Sequence, residues 1–365
     1  MLAGDGKKMS KSKGNYPDPM MIASTLGADA VRLYLASSPV VKAEELKFKE
    51  EGVKGMVKEV FLPWFNAYRF LVQSITRYEN KTQKQWLYDK TFKTKPSYQN
   101  PLDLWILAAT ENLKEYFHQE MGAYRLYTVA PKVLKYLDNL TNWYVKLNRN
   151  LLKGDSHNEE EWNNSLNTLF EVLLEVTILM APLTPFITDS IYLNLRNVIP
   201  KDSPLFSESI HFLRLPKPNE KYMNKEIEEK ARLMQSSIVL GRLIRDKSKL
   251  SFRMPLKKMI IVKDSAVVLK MLKESEYYIK EELNVLDIEY SANEAEFVAY
   301  KAIPDFKVLG KRLESKFDKK LKEKIPKLER KLLKEYLMNK KVMVDEVELI
   351  EGGLVMTTEY TEKYA

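Results

Sequence analysis

The stretch Gly4-Asp5-Gly6-Lys7-Lys8-Met9-Ser10-Lys11-Ser12-Lys13-Gly14-Asn15 is a short basic loop in front of a helix. Four lysines and two serines lie among three glycines. Asp18 is placed to cap the following helix, and Pro19 suits its first turn. Ile22, Leu26, Ala30, Leu33 and Tyr34 continue that helix at helical spacing. Glycine lets a backbone approach an anion closely. Lysine ammonium groups neutralise charge developing on a phosphate, and serine hydroxyls donate to its oxygens. A basic loop leading into a helix N-terminus is thus a polyphosphate site in outline. On composition alone, a solvated loop accounts for the same residues.

The literal string narrows the choice. Lys8-Met9-Ser10-Lys11-Ser12 resembles the signature loop of the class I aminoacyl-tRNA synthetases. The resemblance continues through Lys13-Gly14-Asn15-Tyr16-Pro17-Asp18-Pro19 and Gly27-Ala28-Asp29-Ala30-Val31-Arg32-Leu33-Tyr34-Leu35. It implies a mobile loop that grips ATP phosphates while an amino acid is adenylated. Lys8 and Lys11 would be the catalytic cations, with Lys11 the main phosphate contact. Met9, Ser10 and Ser12 would complete the ATP site, and Mg²⁺ would come as the counter-ion of ATP.

Within that family, Asn15-Tyr16-Pro17-Asp18-Pro19 and the run from Ser37-Ser38-Pro39 to Phe48-Lys49-Glu50 are similar to the isoleucyl branch of eukaryotic type. Leu62-Pro63-Trp64-Phe65-Asn66, Ala123-Tyr124-Arg125-Leu126-Tyr127, Asn142-Trp143-Tyr144-Val145-Lys146, Met180-Ala181-Pro182-Leu183-Thr184-Pro185 and Gly241-Arg242-Leu243-Ile244-Arg245-Asp246 carry the likeness onward. A valyl or leucyl relative stays open as an alternative, because the amino-acid pocket that separates them is not in this sequence.

The family has a second signature, a His-Ile-Gly-His-like tetrapeptide far upstream of the loop. His118, His157 and His211 are the three histidines here, and none stands in such a setting. The expectation is the C-terminal part of a larger enzyme, cut just before the loop and stopping short of the native end, without an editing insertion. The loop supplies part of a phosphate clamp and nothing that positions an amino acid, so the chain alone is expected not to charge tRNA.

Composition sets the class. The 365 residues suggest two or three domains, and 45% hydrophobic with 11% aromatic residues suffice for packed cores. There is no apolar run of about 18 residues to span a membrane and no secretory leader pattern. The chain has no cysteine, which excludes disulfides and thiolate zinc sites and permits a cytoplasmic reading. Net charge is +9, and residues 307–341 alone hold 14 Lys/Arg against 5 Asp/Glu.

The periodicity predicts a mostly α chain: an antiparallel helix bundle followed by a small α+β module. Residues 1–45 read as the loop and a connector helix of a catalytic domain. Residues 46–215 read as a helical anticodon-binding domain, 216–250 as a linker helix, and 251–365 as an α+β region with the basic helical segment. Glu50 to Tyr78 reads as one helix with a kink at Pro63. Residues 80–100 read as a polar decorating loop, and Asp103 reads as the cap of the next helix.

A further helix, from about Ala123 to before Gly154, carries an apolar stripe of Val133, Leu137, Leu140, Tyr144, Leu147 and Leu151. Its other face bears Asn142, Lys146, Arg149 and Lys153. The resemblance makes that face, with Trp143, the candidate site for isoleucine tRNA. Lys146 and Asn150 depart from the family, standing where relatives often have arginine. Farther on, Ile210 to Leu215 reads as extended. Arg242, Arg245, Lys247 and Lys249 suit a helix C-terminus or an RNA backbone. Val342 to Val347 and Leu354 to Thr358 read as a hairpin across Gly352-Gly353. Two other readings remain open at this stage: a stand-alone RNA-binding module, and a scaffold docking other synthetases in a multi-synthetase assembly through the basic segment.

Overall fold

The structure is a computed structural model describing all residues except 1, 5, 11, 13, 17, 156, 157, 314–318, 346 and 361–365. It divides into two bodies, Met1–Gln235 and Ser236–Ala365.

The first body is helical. Asp18 caps α1 (Pro19–Leu26), its carboxylate accepting from Met20 N–H at 2.8 Å. The expected single helix breaks at Gly27, where φ is 92° and ψ 140°, and α2 (Ala28–Ala36) starts afresh. The next helix is interrupted upstream of Pro63. Its pieces are α3 (Glu50–Met56), a π-turn at Val57–Phe61, and α4 (Leu62–Thr82). Proline has no N–H and crowds the carbonyl four residues back, so the helix widens just before it.

Pro101–Gly122 forms α5. Its cap is Asn100, which accepts from Leu102 N–H at 3.0 Å, and not the expected Asp103. Asp103 is buried within the first turn instead. Helix α6 (Leu126–Asp138) continues through a π-turn at Asn139–Val145 towards the short α7 (Arg149–Leu152). The wide turn shifts the core stripe: Tyr144 leads to buried Asn148 and Leu152, leaving Leu147 and Leu151 half-buried.

Helix α8 (Glu159–Met180) is the centre of this body, and from Trp162 onward it is buried on nearly every side. A helix apolar all round needs neighbours all round, and α4, α5, α7 and α9 (Pro185–Leu195) supply them. The three- and four-residue connections between α5 and α6 and between α8 and α9 reverse the chain between packed helices, giving antiparallel neighbours. Most of the buried polar groups of α8 are paired, though Asn164 Oδ1 and Glu175 Oε2 have no partner among the described residues. Asn167 accepts from Asp89 N–H at 2.8 Å, and Trp162 donates to Leu152 O at 2.9 Å. Lys114 of α5 sits between Glu111 at 2.7 Å and Glu175 of α8 at 2.9 Å. Burial pushes Glu175 up to about 7, against the pull of Lys114.

Residues 83–100 are irregular but not mere decoration. Trp86, Tyr88, Phe92 and Tyr98 are buried, and Phe170 of α8 packs against Trp86 and Tyr88. Tyr88 donates to Glu171 at 2.7 Å. Ile210–Phe212, expected as extended, is a 3₁₀ turn. Helix α10 (Lys225–Lys247) carries the boundary between the bodies.

The second body mixes small sheets with helices. Strands β1 (Leu256–Val262) and β2 (Val285–Ser291) pair in parallel, Leu256 opposite Val285, with α11 (Ala266–Glu274) and α12 (Glu276–Leu283) between them. The two helices meet at Ser275. After α13 (Glu294–Phe297), β3 (Val298–Pro304) leads into α14 (Phe306–Leu313), α15 (Lys319–Lys324) and α16 (Arg330–Asn339). Strand β4 (Lys341–Val344) pairs with β5 (Val347–Ile350), whereas β6 (Leu354–Tyr360) pairs back to β3, Leu354 opposite Pro304. The expected hairpin across Gly352-Gly353 is therefore two separate pairings. Burying Ala302 and Leu354 in one core with Leu309, Leu333 and Leu349 is what draws β6 to β3.

Candidate functional site

The basic loop is pinned at its base and folded on itself. Leu2 donates to Leu46 O at 2.7 Å, and Phe48 donates to Leu2 O at 2.9 Å, so residues 46–48 hold the start of the loop. Gly6 and Gly14 take positive φ of 80° and 53°, the left-handed region open to glycine. Asn15 closes the loop from inside. Its Oδ1 accepts from Ser10 N–H at 2.9 Å, and its Nδ2 donates to Lys8 O at 3.1 Å. The Ser10 and Ser12 hydroxyls lie 2.7 Å apart. Lys7, Lys8 and Ser12 are exposed, while Met9 and Ser10 are half-buried. Lys11, the expected main phosphate contact, lies outside the described residues, as does His157. Of the loop residues singled out from sequence, the structure thus gathers Lys8, Ser10 and Ser12 around one turn. Sequence reasoning missed the clamp by Asn15, although the Asn sat in the quoted string.

The face of the long helix is arranged as the spacing implies. Asn142, Lys146 and Arg149 are exposed, and Lys153 is half-buried. Asn142 donates to Asp138 at 2.7 Å. The Arg149 guanidinium lies over the Phe70 ring, 5.6 Å from its centroid. Trp143 and Tyr144 are different. They are 8% and 0% exposed, so neither ring is open for a base to stack on. Tyr144 belongs to a buried network in which its hydroxyl, the Ser165 hydroxyl and the Asn148 amide all donate to Asp103.

Two other features bear on the site. A cleft of about 430 Å³ opens beside Trp105, lined by Asn112, Lys135, Asn139, Arg232 and Gln235 among others. Its polar groups are largely paired with one another, Gln235 to Asn139 at 3.1 Å and Arg232 forked onto Glu229. In the second body, Arg245 is 2% exposed and locked. It donates to Leu283 O at 3.1 Å, Met254 O at 2.6 Å and Ser251 O. Arg242 pairs with Glu282. These two arginines hold the fold together at the end of α10. Among the described residues, no group of three or more His, Asp or Glu could hold a metal ion, and no helix is long and apolar enough to cross a membrane. His118, far from any loop motif, contacts Pro216 O at 2.9 Å.

The chain is similar to known proteins along its length. The family profile of the anticodon-binding domain of tRNA ligases matches residues 103–260, and that of class I tRNA synthetases (I, L, M and V) matches residues 1–47. Isoleucine–tRNA ligase of Tetrahymena thermophila is 43% identical over 366 residues, covering 100% of this chain and 34% of that protein. The cytoplasmic isoleucine–tRNA ligase of Saccharomyces cerevisiae is 44% identical over 97% of this chain and 33% of its own length. The cytoplasmic enzyme of Mus musculus is 43% identical over 97% of this chain and 28% of its own. The chain spans about a third of the length of the curated relatives it matches. With its lysine and serine loop in place ahead of a helical bundle, the chain belongs to the class I aminoacyl-tRNA synthetases, in the branch of the isoleucine–tRNA ligases.

Proposed function

We propose that the chain works as part of a cytoplasmic isoleucine–tRNA ligase, which joins isoleucine to its tRNA through an ATP-derived aminoacyl-adenylate. The observation that carries this reading is the similarity to isoleucine–tRNA ligases along the whole chain, from the loop to the last strands. In this division of labour the loop meets the phosphates of ATP, with Mg²⁺ arriving as their counter-ion. Lys8 and Lys11 neutralise charge as it develops, and Ser10 and Ser12 donate to phosphate oxygens. One such preorganised group is typically worth about 2.7–4 kcal/mol in the barrier. The bundle holds the tRNA. Asn142, Lys146, Arg149 and Lys153 suit contacts to the sugar-phosphate backbone, which fix register and orientation. Lys146 gives a point charge where an arginine would give a planar fork.

The test is tRNA binding by this chain at several salt concentrations, comparing isoleucine tRNA with a mixed pool. A preference for isoleucine tRNA with a modest salt slope is the expected result. Equal binding with a steep slope would show an unspecific cation surface instead, and would remove the bundle from this role.

A further inference from the structure

Helix α2 comes after the phosphate loop and α1, and two of its side chains reach the same corner of the bundle. Asp29 is 6% exposed, and its Oδ2 accepts from Ile187 N–H at 2.7 Å. The Phe186 N–H turns towards the same carboxylate. Almost one turn later, Arg32 donates from Nε to Leu183 O at 3.3 Å and from a terminal nitrogen to Pro182 O at 3.5 Å. Residues 182–187 hold the bend from α8 into α9.

The chemistry is complementary at both ends of that bend. The first amides of a helix and the carbonyls beyond the end of the preceding one lack intrahelical partners. A carboxylate suits the former and a guanidinium the latter. Thr184, at the cap position of α9, makes no side-chain capping bond. The cap comes instead from Asp29, 158 residues away in sequence. Other contacts seat the same segment: Ala30 and Leu33 are fully buried, and Lys42 lies 3.9 Å from the centre of the Tyr127 ring at the start of α6.

We propose that Asp29 and Arg32 are positioning residues that lock α2, against which the loop-bearing α1 packs, to the α8–α9 corner, so that tRNA ordering the bundle also orders the phosphate loop. This rests on the reading of the bundle as a tRNA site and adds the two residues that join it to the loop. Ordering one part of a body lowers the entropic cost of ordering a part fixed to it.

Amide hydrogen exchange of the chain, with and without isoleucine tRNA, tests it in the wild type and in Asp29→Ala, Asp29→Asn and Arg32→Gln. Affinity for the tRNA is measured alongside. In the wild type, bound tRNA should slow exchange of the amides from Lys7 to Ser10 by about fivefold or more. Asp29→Asn keeps an acceptor for Ile187 N–H and should retain the effect. Asp29→Ala and Arg32→Gln should lose it at unchanged affinity. A loop that responds equally in those two variants overturns the proposal, as does a wild-type loop that ignores tRNA shown to be bound. Absence of tRNA binding by the wild type, read from the affinity measurement, overturns the bundle assignment first and the proposal with it. Arg32 is exposed, so Arg32→Gln keeps the test decisive should Asp29→Ala not fold.

Discussion

Tyr144 and Asp103 meet in the middle of the bundle: the phenol donates to Asp103 Oδ1 at 2.6 Å, and neither side chain is more than 1% exposed. Burial pushes Asp103 up to about 6, against the donors Ser165, Tyr144 and Asn148 that pull it down. The folded value lies above the ordinary 3.8, so the folded chain keeps an extra proton between roughly pH 4 and 6. Stability contributed by this group therefore falls as pH rises through that window and is level above it. Asp103→Asn should remove the slope, gaining on the wild type in urea midpoint between pH 4.5 and 7. Asp103→Leu should cost about 3 kcal/mol or more, because it strands three buried donors.

Gly154→Ala should destabilise the first body by about 2 kcal/mol or more in urea unfolding. Gly154 has φ of +72°, and an added Cβ would lie 2.6 Å from the Trp162 indole. The ring is fixed by its bond to Leu152 O and has nowhere to retreat.

Arg245→Lys should lower the stability of the second body by about 3 kcal/mol, because lysine cannot serve three carbonyls as the guanidinium fork does. Thermal unfolding of the variant beside the wild type checks this. A midpoint unchanged within error would mean that the clamp is dispensable.

Asn15→Ala should speed exchange of the Ser10 amide, whereas Asn15→Asp, which keeps the acceptor, should preserve its protection. Loss of protection in both variants would instead point to the donor bond from Asn15 to Lys8 O as the one that holds the turn.

Much of this was legible in the sequence, and the exceptions share a cause. The loop, the cap at Asp18 and the apolar stripe through Val133, Leu137 and Tyr144 are local patterns, and local patterns can be read from neighbouring residues. Asp103 misled because an acidic residue at a helix start satisfies the capping rule as well as Asn100 does. Only the Asn100-Pro101 pair, with proline at the first helical position, favoured the earlier start. Trp86, Tyr88, Phe92 and Tyr98 follow no period, since the backbone there is irregular, so lysines and threonines masked their burial. The pairing of β3 with β6 depends on which apolar faces meet across some fifty residues of chain, and spacing is silent on that. At the site, the exposed cations followed from the helix rhythm. The inward turn of Trp143 did not, because the π-turn breaks that rhythm at Asn139.

That wide turn also fixes how the helix tolerates changes in chain length. A π-turn carries one residue more than an α-turn, and each residue rotates the chain by about 100°. Deleting one residue between Asn139 and Val145 would let this turn tighten to an ordinary α-turn, which still closes one full revolution. Arg149 and Lys153 beyond it would keep their direction, and the shift would fall on side chains inside the turn, Trp143 and Tyr144 among them. The same deletion in a regular α-helix would rotate all that follows by about 100°. The wide turn is therefore a buffer for chain length, and homologous chains can differ by one residue here without re-aiming the cations that follow.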